Sequence, residues 1–192
     1  MNRIALFVGI VGGVAWQTLP LYPPECVPVT GASEVFCNRL WTPALAAMLV
    51  GAIGLWSLHR PFVSRAAKGR LLVITIGFAL MTAGNLLEYW FAFELDHRTG
   101  IGGPIRGALW MTVLAGWLTV LVGAFVTGVI LFRSRMPNRW LGLAFVLPLP
   151  LTFAFASLGP NAMGIPVGLL AILIGVHGLA SRRSTAAAAA RP

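Results

Sequence analysis

The sequence predicts an all-α, polytopic integral membrane protein, built as a bundle of six transmembrane helices. Apolar residues make up 58% of the 192 residues and charged residues only 10%, whereas soluble domains carry about 25% charged residues. Uncharged apolar blocks recur at about the 17 to 25 residues that a helix needs to cross roughly 30 Å of hydrocarbon. Basic residues collect between these blocks. This pattern excludes a soluble globular domain and a disordered chain.

Six blocks have the length of a membrane span, at residues 4–20, 42–58, 71–93, 107–132, 140–158 and 162–180. Glu88 is the only acidic or basic residue inside any of them. The remaining connections are too short for a folded soluble domain, so residues 1–180 are expected to form one membrane domain. The longest connection is the loop at residues 21–41, and residues 181–192 form a basic, alanine-rich tail.

The basic residues predict the orientation of the chain. Eleven of the fourteen Lys and Arg residues fall on the side that holds both termini, and Arg39, Arg98 and Arg106 fall on the other. Because short loops rich in Lys and Arg stay in the cytoplasm, both termini are predicted to be cytoplasmic. The alternative for the first block is a signal peptide cleaved near Ala15, which would leave five spans. The expected partner is the lipid bilayer, not nucleic acid, and the Ala and Gly content is compatible with a bacterial plasma membrane.

Two cysteines, Cys26 and Cys37, lie in the predicted outer loop. Disulfides persist in that compartment, and closing a loop of this size stabilises a fold by roughly 2 to 3 kcal/mol. A redox-active pair usually has a closer motif such as CxxC at a helix start. The sequence therefore favours a structural disulfide in a loop stiffened by prolines.

Small residues mark the faces on which the helices are expected to pack, because close approach drives helix association in lipid. The first block carries Gly9 and Gly13, the second carries Ala47 and Gly51, and the fourth carries a longer row near one face, at Ala108, Thr112, Ala115, Thr119, Gly123 and Thr127. These faces either pack the monomer together or bind another subunit or a second copy of the chain. The clearest row follows one face of the sixth block, at Gly164, Gly168, Ala171, Gly175 and Gly178.

The candidate functional site surrounds Glu88, because burying a charge in a membrane costs roughly 2.5 kcal/mol or more. Asn85 and Thr82 precede it at three-residue spacing and share its helix face. Gln17 and Arg106 are expected at a similar depth in the outer leaflet. The functional hypothesis is a polar cavity open to the outside, with Glu88 binding a ligand or a proton. The structural hypothesis is an ion pair with Arg106 or a hydrogen bond between helices.

Pro148 and Pro150 lie near the middle of the fifth block and predict a helix break, because each removes a backbone donor. Transporters use carbonyl groups freed by such breaks to hold cations. Prolines are also common in membrane helices.

The sequence contains no recognisable catalytic motif, and we predict no catalytic residue, metal site or cofactor. Three functions stay open. The first is a non-enzymatic accessory or assembly subunit that interacts through helix faces and the outer loop. The alternative is a small transporter or channel with an outward-facing cavity around Glu88 and Asn85. The third is a membrane enzyme that acts on lipid or quinone.

Overall fold

The computed structural model describes residues 2–18, 32–59, 65–133, 139–157 and 163–189, and every element in these ranges is helical. The helix that contains Glu88 runs on from α3 to α4 through one π-helical turn. In chain order the elements are α1 (Asn2–Gln17), α2 (Ala32–His59), α3 (Arg65–Leu87), the π-turn (Glu88–Ala92), α4 (Phe93–Thr99), α5 (Gly102–Arg133), α6 (Arg139–Val146), α7 (Pro148–Ala156) and α8 (Ile165–Ala189).

Three stretches of these helices are long and apolar enough to cross a membrane: Asn38–Ser57, Lys68–Thr99 and Gly102–Arg133. The two longer ones have 32 residues each, or about 48 Å at 1.5 Å per residue, so their ends extend beyond the hydrocarbon. Two shorter apolar helices, Arg3–Gln17 and Ile165–Leu179, accompany them. The all-helical fold is therefore confirmed for the described residues, the three long apolar stretches are consistent with a membrane-embedded chain, and the count of six spans stays a prediction.

Large apolar side chains on the outside of the bundle fit this setting. Phe7 on α1 is 61% exposed and Phe153 on α7 is 64% exposed, and similar side chains project from α3, α5 and α8. Water would penalise so much contiguous apolar surface. Lipid chains cover it without cost, since they are as apolar as the side chains.

The second helix begins earlier than the sequence predicts. Its apolar block starts at Thr42, whereas α2 starts at Ala32 and runs through Pro43. The added turns bury one face, since Val35 and Asn38 are buried while Leu40 is exposed. Hydrophobicity alone misses such a segment, because it is held by contacts on one face only. The second half of the predicted outer loop is thus helix.

Neighbouring helices in the bundle run antiparallel and form a closed ring. The order around the ring is α1, α2, α3, α5, the α6–α7 pair and α8, which returns to α1. Helix α8 also contacts α2. Fully buried apolar side chains from all sides fill the centre, among them Leu45, Phe78, Leu121 and Leu170.

The small-residue row of α8 packs against α1. A Cβ atom added at Gly168 would meet the Gln17 side chain and the Gly13 carbonyl, and one added at Gly175 would meet Ile10. On its other side α1 crosses α2 where Gly9 and Gly51 face each other, a Cβ on Gly9 lying 2.6 Å from the Cα of Gly51. These rows therefore join helices within the chain. Ala171 belongs to the same row and is also buried.

The helix of the fifth apolar block is interrupted at Leu147, between α6 and α7. Pro148 follows at the first position of α7 and has no N–H to donate. Leu147 and Leu151 keep their amide bonds to the carbonyls four residues earlier, at 3.0 Å each. The interruption is therefore local to Pro148 and Pro150, and α7 continues in the direction of α6.

Candidate polar site around Glu88

A network of hydrogen bonds joins α2 to α3 and the π-turn. The Thr42 hydroxyl donates to Oδ1 of Asn85 at 2.6 Å and accepts from Nε1 of Trp90 at 3.1 Å. Thr42 and Asn85 are buried, where an unsatisfied polar group is costly. One hydroxyl on α2 thus satisfies groups from two turns of the neighbouring helix.

Glu88 lies one turn beyond Asn85, as the spacing predicts. It opens the π-turn and is 4% exposed, while Asn85 is 2% exposed. The π-turn packs against both α2 and α5, so the carboxyl group is held inside the protein and away from lipid. Helical π-turns occur mostly as single insertions in α-helices and frequently at functional sites.

Arg39 on α2 reaches the same segment. Its Nε donates to the backbone carbonyl of Tyr89 at 2.8 Å, and its Nη2 donates to Oε1 of Glu94 at 2.7 Å. The guanidinium carbon lies 5.3 Å from the centre of the Trp90 ring, within the range of a cation–π contact. A positive charge therefore stands at the C-terminal end of the π-turn that Glu88 opens, in an ion pair whose two side chains are partly exposed.

The tryptophans Trp16 and Trp41 pack edge to face near this network, with ring centres 5.7 Å apart. Trp16 donates its Nε1–H to the Gly164 carbonyl at 2.8 Å. The Nε1–H of Trp41 is buried and has no acceptor among the residues that the structure describes. The ring of Trp41 packs against α1, whereas Thr42, the next residue of α2, bonds Asn85 on α3.

The other residues of the sequence-predicted site lie elsewhere. Gln17 donates its Nε2–H to the Ile165 carbonyl at 2.8 Å and so ties α1 to α8. Thr82 donates to the Phe78 carbonyl of its own helix at 2.8 Å. Neither side chain joins the network of Thr42 and Asn85.

Arg106 makes its ion pair with Asp96, at 3.8 Å between Nη1 and Oδ2, and its guanidinium carbon lies 4.9 Å from the centre of the Phe93 ring. Within the described ranges, the ion pair of Arg106 with Glu88 that the sequence left open is not formed. The aromatic face and Asp96 hold Arg106 one to two turns farther out.

Three participants were missed by sequence reasoning: Arg39, Thr42 and Trp90. Arg39 was assigned to a loop because it precedes the apolar block. A usable signal was present, since Val35, Asn38 and Thr42 repeat at the spacing of a helix face. The partners of that face become visible only in the folded bundle.

The predicted disulfide stays a prediction. Cys26 and the side chain of Cys37 lie outside the described residues, although the backbone of residue 37 belongs to α2. The tail at residues 181–192 continues α8 as far as Ala189.

Comparison with known proteins adds no relative. No protein family model matches the chain, and neither a curated protein nor a solved structure matches it.

Proposed function

We propose that the chain crosses the plasma membrane of a bacterium six times, with both termini in the cytoplasm. The antiparallel arrangement of neighbouring helices in the bundle supports this topology. Eleven of the fourteen Lys and Arg residues fall on the side that holds both termini, and this excess supports a cytoplasmic location of that side. Fusions of green fluorescent protein and alkaline phosphatase to Pro192 test the orientation. Fluorescence without phosphatase activity is expected, and the reverse would contradict it.

We propose further that the protein is a small transporter whose binding group is Glu88, reached from the outer side. The observation that carries this proposal is the burial of a carboxyl side chain at the opening residue of a π-turn. Intramembrane carboxyl groups are expensive and typically serve ion or proton pathways. The neighbouring amide of Asn85 supplies a hydrogen-bonding group for a polar ligand.

Proton flux into proteoliposomes tests this proposal directly. A potassium gradient with valinomycin drives the flux, and a pH-sensitive dye trapped inside reports it. We expect Glu88→Gln to abolish the flux, because an amide keeps the shape of the side chain but does not titrate. Asp96→Asn is the matched control, since it removes an acid from the same helix two turns farther out, and it should leave the flux intact. Equal flux in wild type and Glu88→Gln would refute a proton-carrying role.

A second candidate function is an accessory subunit, favoured by the surface of α5. The small residues in the first half of this helix line a face that packs on no helix within the described ranges, and the hydroxyls of Thr112 and Thr119 bond carbonyls of their own helix. Such a flat row accepts a helix of another membrane subunit at close range. The row comprises Ala108, Thr112, Ala115 and Thr119, of which the alanines are exposed and the threonines half-buried.

Native mass spectrometry of protein extracted from its own membrane distinguishes the two functions. A heteromeric mass that is lost in Ala115→Leu, with the chain still folded, supports the accessory function. A monomer without protein partners would contradict it and leave the transporter proposal in place.

A further inference from the structure

We propose that Arg39 is a positioning residue of the Glu88 site, which holds the π-turn and thereby fixes where the Glu88 side chain lies. This inference rests on the proposed function of that site. The inference rests on three contacts of the Arg39 side chain: Nε with the Tyr89 carbonyl, Nη2 with Glu94, and the guanidinium plane with the Trp90 ring.

The first step concerns the backbone of the π-turn. The N–H of Phe93 donates to the carbonyl of Glu88, five residues back. In an α-helix the same N–H would donate to the carbonyl of Tyr89, four residues back. The π-turn therefore takes from the Tyr89 carbonyl the donor that regular helix geometry would give it.

Arg39 supplies a donor to that carbonyl. Its Nε–H bonds the Tyr89 oxygen at 2.8 Å, in a segment where a carbonyl without a donor would be costly. Without this bond, the α-helical register, in which the Phe93 N–H donates to the Tyr89 carbonyl, would become more stable than the π-turn. Arg39 thus stabilises the π-turn against the α-helical alternative.

The remaining contacts of Arg39 fix the geometry of its guanidinium group. Nη2 bonds Glu94 at 2.7 Å, and the plane lies over the Trp90 ring at 5.3 Å. A guanidinium group offers several donors in one rigid plane. A lysine ammonium keeps the charge and reaches Glu94, but it lacks the fork that serves Tyr89 and Glu94 together.

The register of the turn decides which side chains face α2. Each residue advances an α-helix by about 100°. A π-turn holds one residue more than the α-helical turn that it replaces. A change from the π register to the α register would therefore rotate the segment before the turn relative to the segment after it by about 100°. Asn85 and Glu88 precede the extra residue, and Glu94 follows it. The α-helical register would therefore not allow Asn85 to reach Thr42 while Glu94 reaches Arg39.

Infrared spectroscopy of the full-length protein in bilayers tests the bond to Tyr89. The chain has two tyrosines, Tyr22 and Tyr89, so tyrosine labelled at the carbonyl carbon in a Tyr22→Phe background reports Tyr89 alone. We expect Arg39→Lys to move the labelled band to higher frequency, as the hydrogen bond is lost. Arg98→Lys is the matched control, because it makes the same substitution at an exposed arginine of α4 and leaves all contacts of Arg39 in place, and its band should not move. An unmoved band in Arg39→Lys, or equal shifts in both variants, would overturn the inference.

The consequence for Glu88 is measured in the same samples. Its carboxyl band is identified by its loss in Glu88→Gln, and this band should change in Arg39→Lys but not in Arg98→Lys. Proton flux should fall on the order of 100-fold in Arg39→Lys, the loss that about 1 Å of misplacement produces, and stay near wild type in Arg98→Lys. If the Tyr89 carbonyl band, the Glu88 carboxyl band and the proton flux of Arg39→Lys all match those of the wild type, only the charge of residue 39 matters. That result would refute the positioning role.

Failure of this inference and failure of the proposed function give different results. If wild-type protein carries no flux that depends on Glu88, the transporter proposal fails, while the two infrared bands still decide the role of Arg39. If flux falls in Arg39→Lys without any change in either band, transport stands and the positioning role is wrong.

Discussion

The crossing of α1 and α2 predicts a large penalty for the smallest possible substitution, Gly9→Ala. The new Cβ would lie 2.6 Å from the Cα and 3.3 Å from the N of Gly51, whereas carbon atoms pack best at about 3.5 to 4.0 Å. The helices must therefore separate by about 1 Å. Both obstructing atoms belong to the backbone, so no side-chain rotation relieves the contact.

Overpacking of this kind costs about 1 to 3 kcal/mol. Alanine returns up to about 1 kcal/mol through its higher helix propensity. Gly9→Ala should therefore lower the free energy of unfolding by about 0 to 3 kcal/mol relative to wild type, and by about 1 to 3 kcal/mol relative to a Gly→Ala variant without overpacking. The matched control is Gly107→Ala on α5, since a Cβ there meets nothing within 4 Å. This control should be neutral or stabilising by up to about 1 kcal/mol.

Reversible unfolding by dodecyl sulfate in maltoside micelles measures both variants, with tryptophan fluorescence as the readout. The edge-to-face pair of Trp16 and Trp41 makes that signal sensitive to the packing of α1 on α2. The double variant Gly9→Ala/Gly51→Ala should lose less than the sum of the single losses, because the first methyl group already separates the helices. Indistinguishable stabilities of Gly9→Ala and Gly107→Ala would refute the close crossing.

Two further predictions concern hydrogen bonds between helices, and the same unfolding assay checks them. Thr42→Val should cost about 0.6 to 1.7 kcal/mol, the range for such bonds in membranes, because Asn85 loses its donor; Thr119→Val removes only a bond within one helix and should change stability by less than about 0.5 kcal/mol. Trp16→Phe should cost about 1 kcal/mol by removing the bond to the Gly164 carbonyl while keeping an aromatic ring against Trp41, and a neutral result would contradict the attachment of α1 to α8.

Much of the fold was predictable because lipid restricts what a chain can do. Each apolar block coincides with a helix in the described ranges, since a backbone in hydrocarbon must satisfy its own hydrogen bonds. The pairing of Asn85 with Glu88 on one face followed from helical spacing alone. The row of small residues on α8 predicted a packing face correctly, although not its partner.

Features that depend on contacts across the bundle could not be derived in this way. The early start of α2 is held by Asn38 and Thr42 facing a neighbouring helix, and the π-turn by a donor from Arg39, 50 residues away in the chain. Gln17 and Arg106 were assigned to the Glu88 site by depth alone. Depth in the membrane does not say in which direction a side chain points around its helix axis. That direction determines that Gln17 bonds the Ile165 carbonyl and that Arg106 pairs with Asp96.

The pairing of the first helix with the last one imposes an order on synthesis. The carbonyl that accepts from Gln17 lies 148 residues later in the chain. The ribosome needs about 7 to 30 s to synthesise this stretch, at roughly 5 to 20 residues per second. During that interval α1 can already lie against α2, but the side of it that carries Gly13 and Gln17 is uncovered. A ribosome that stalls before α8 would leave this polar side chain facing lipid, so the final helix is the one whose arrival closes the ring.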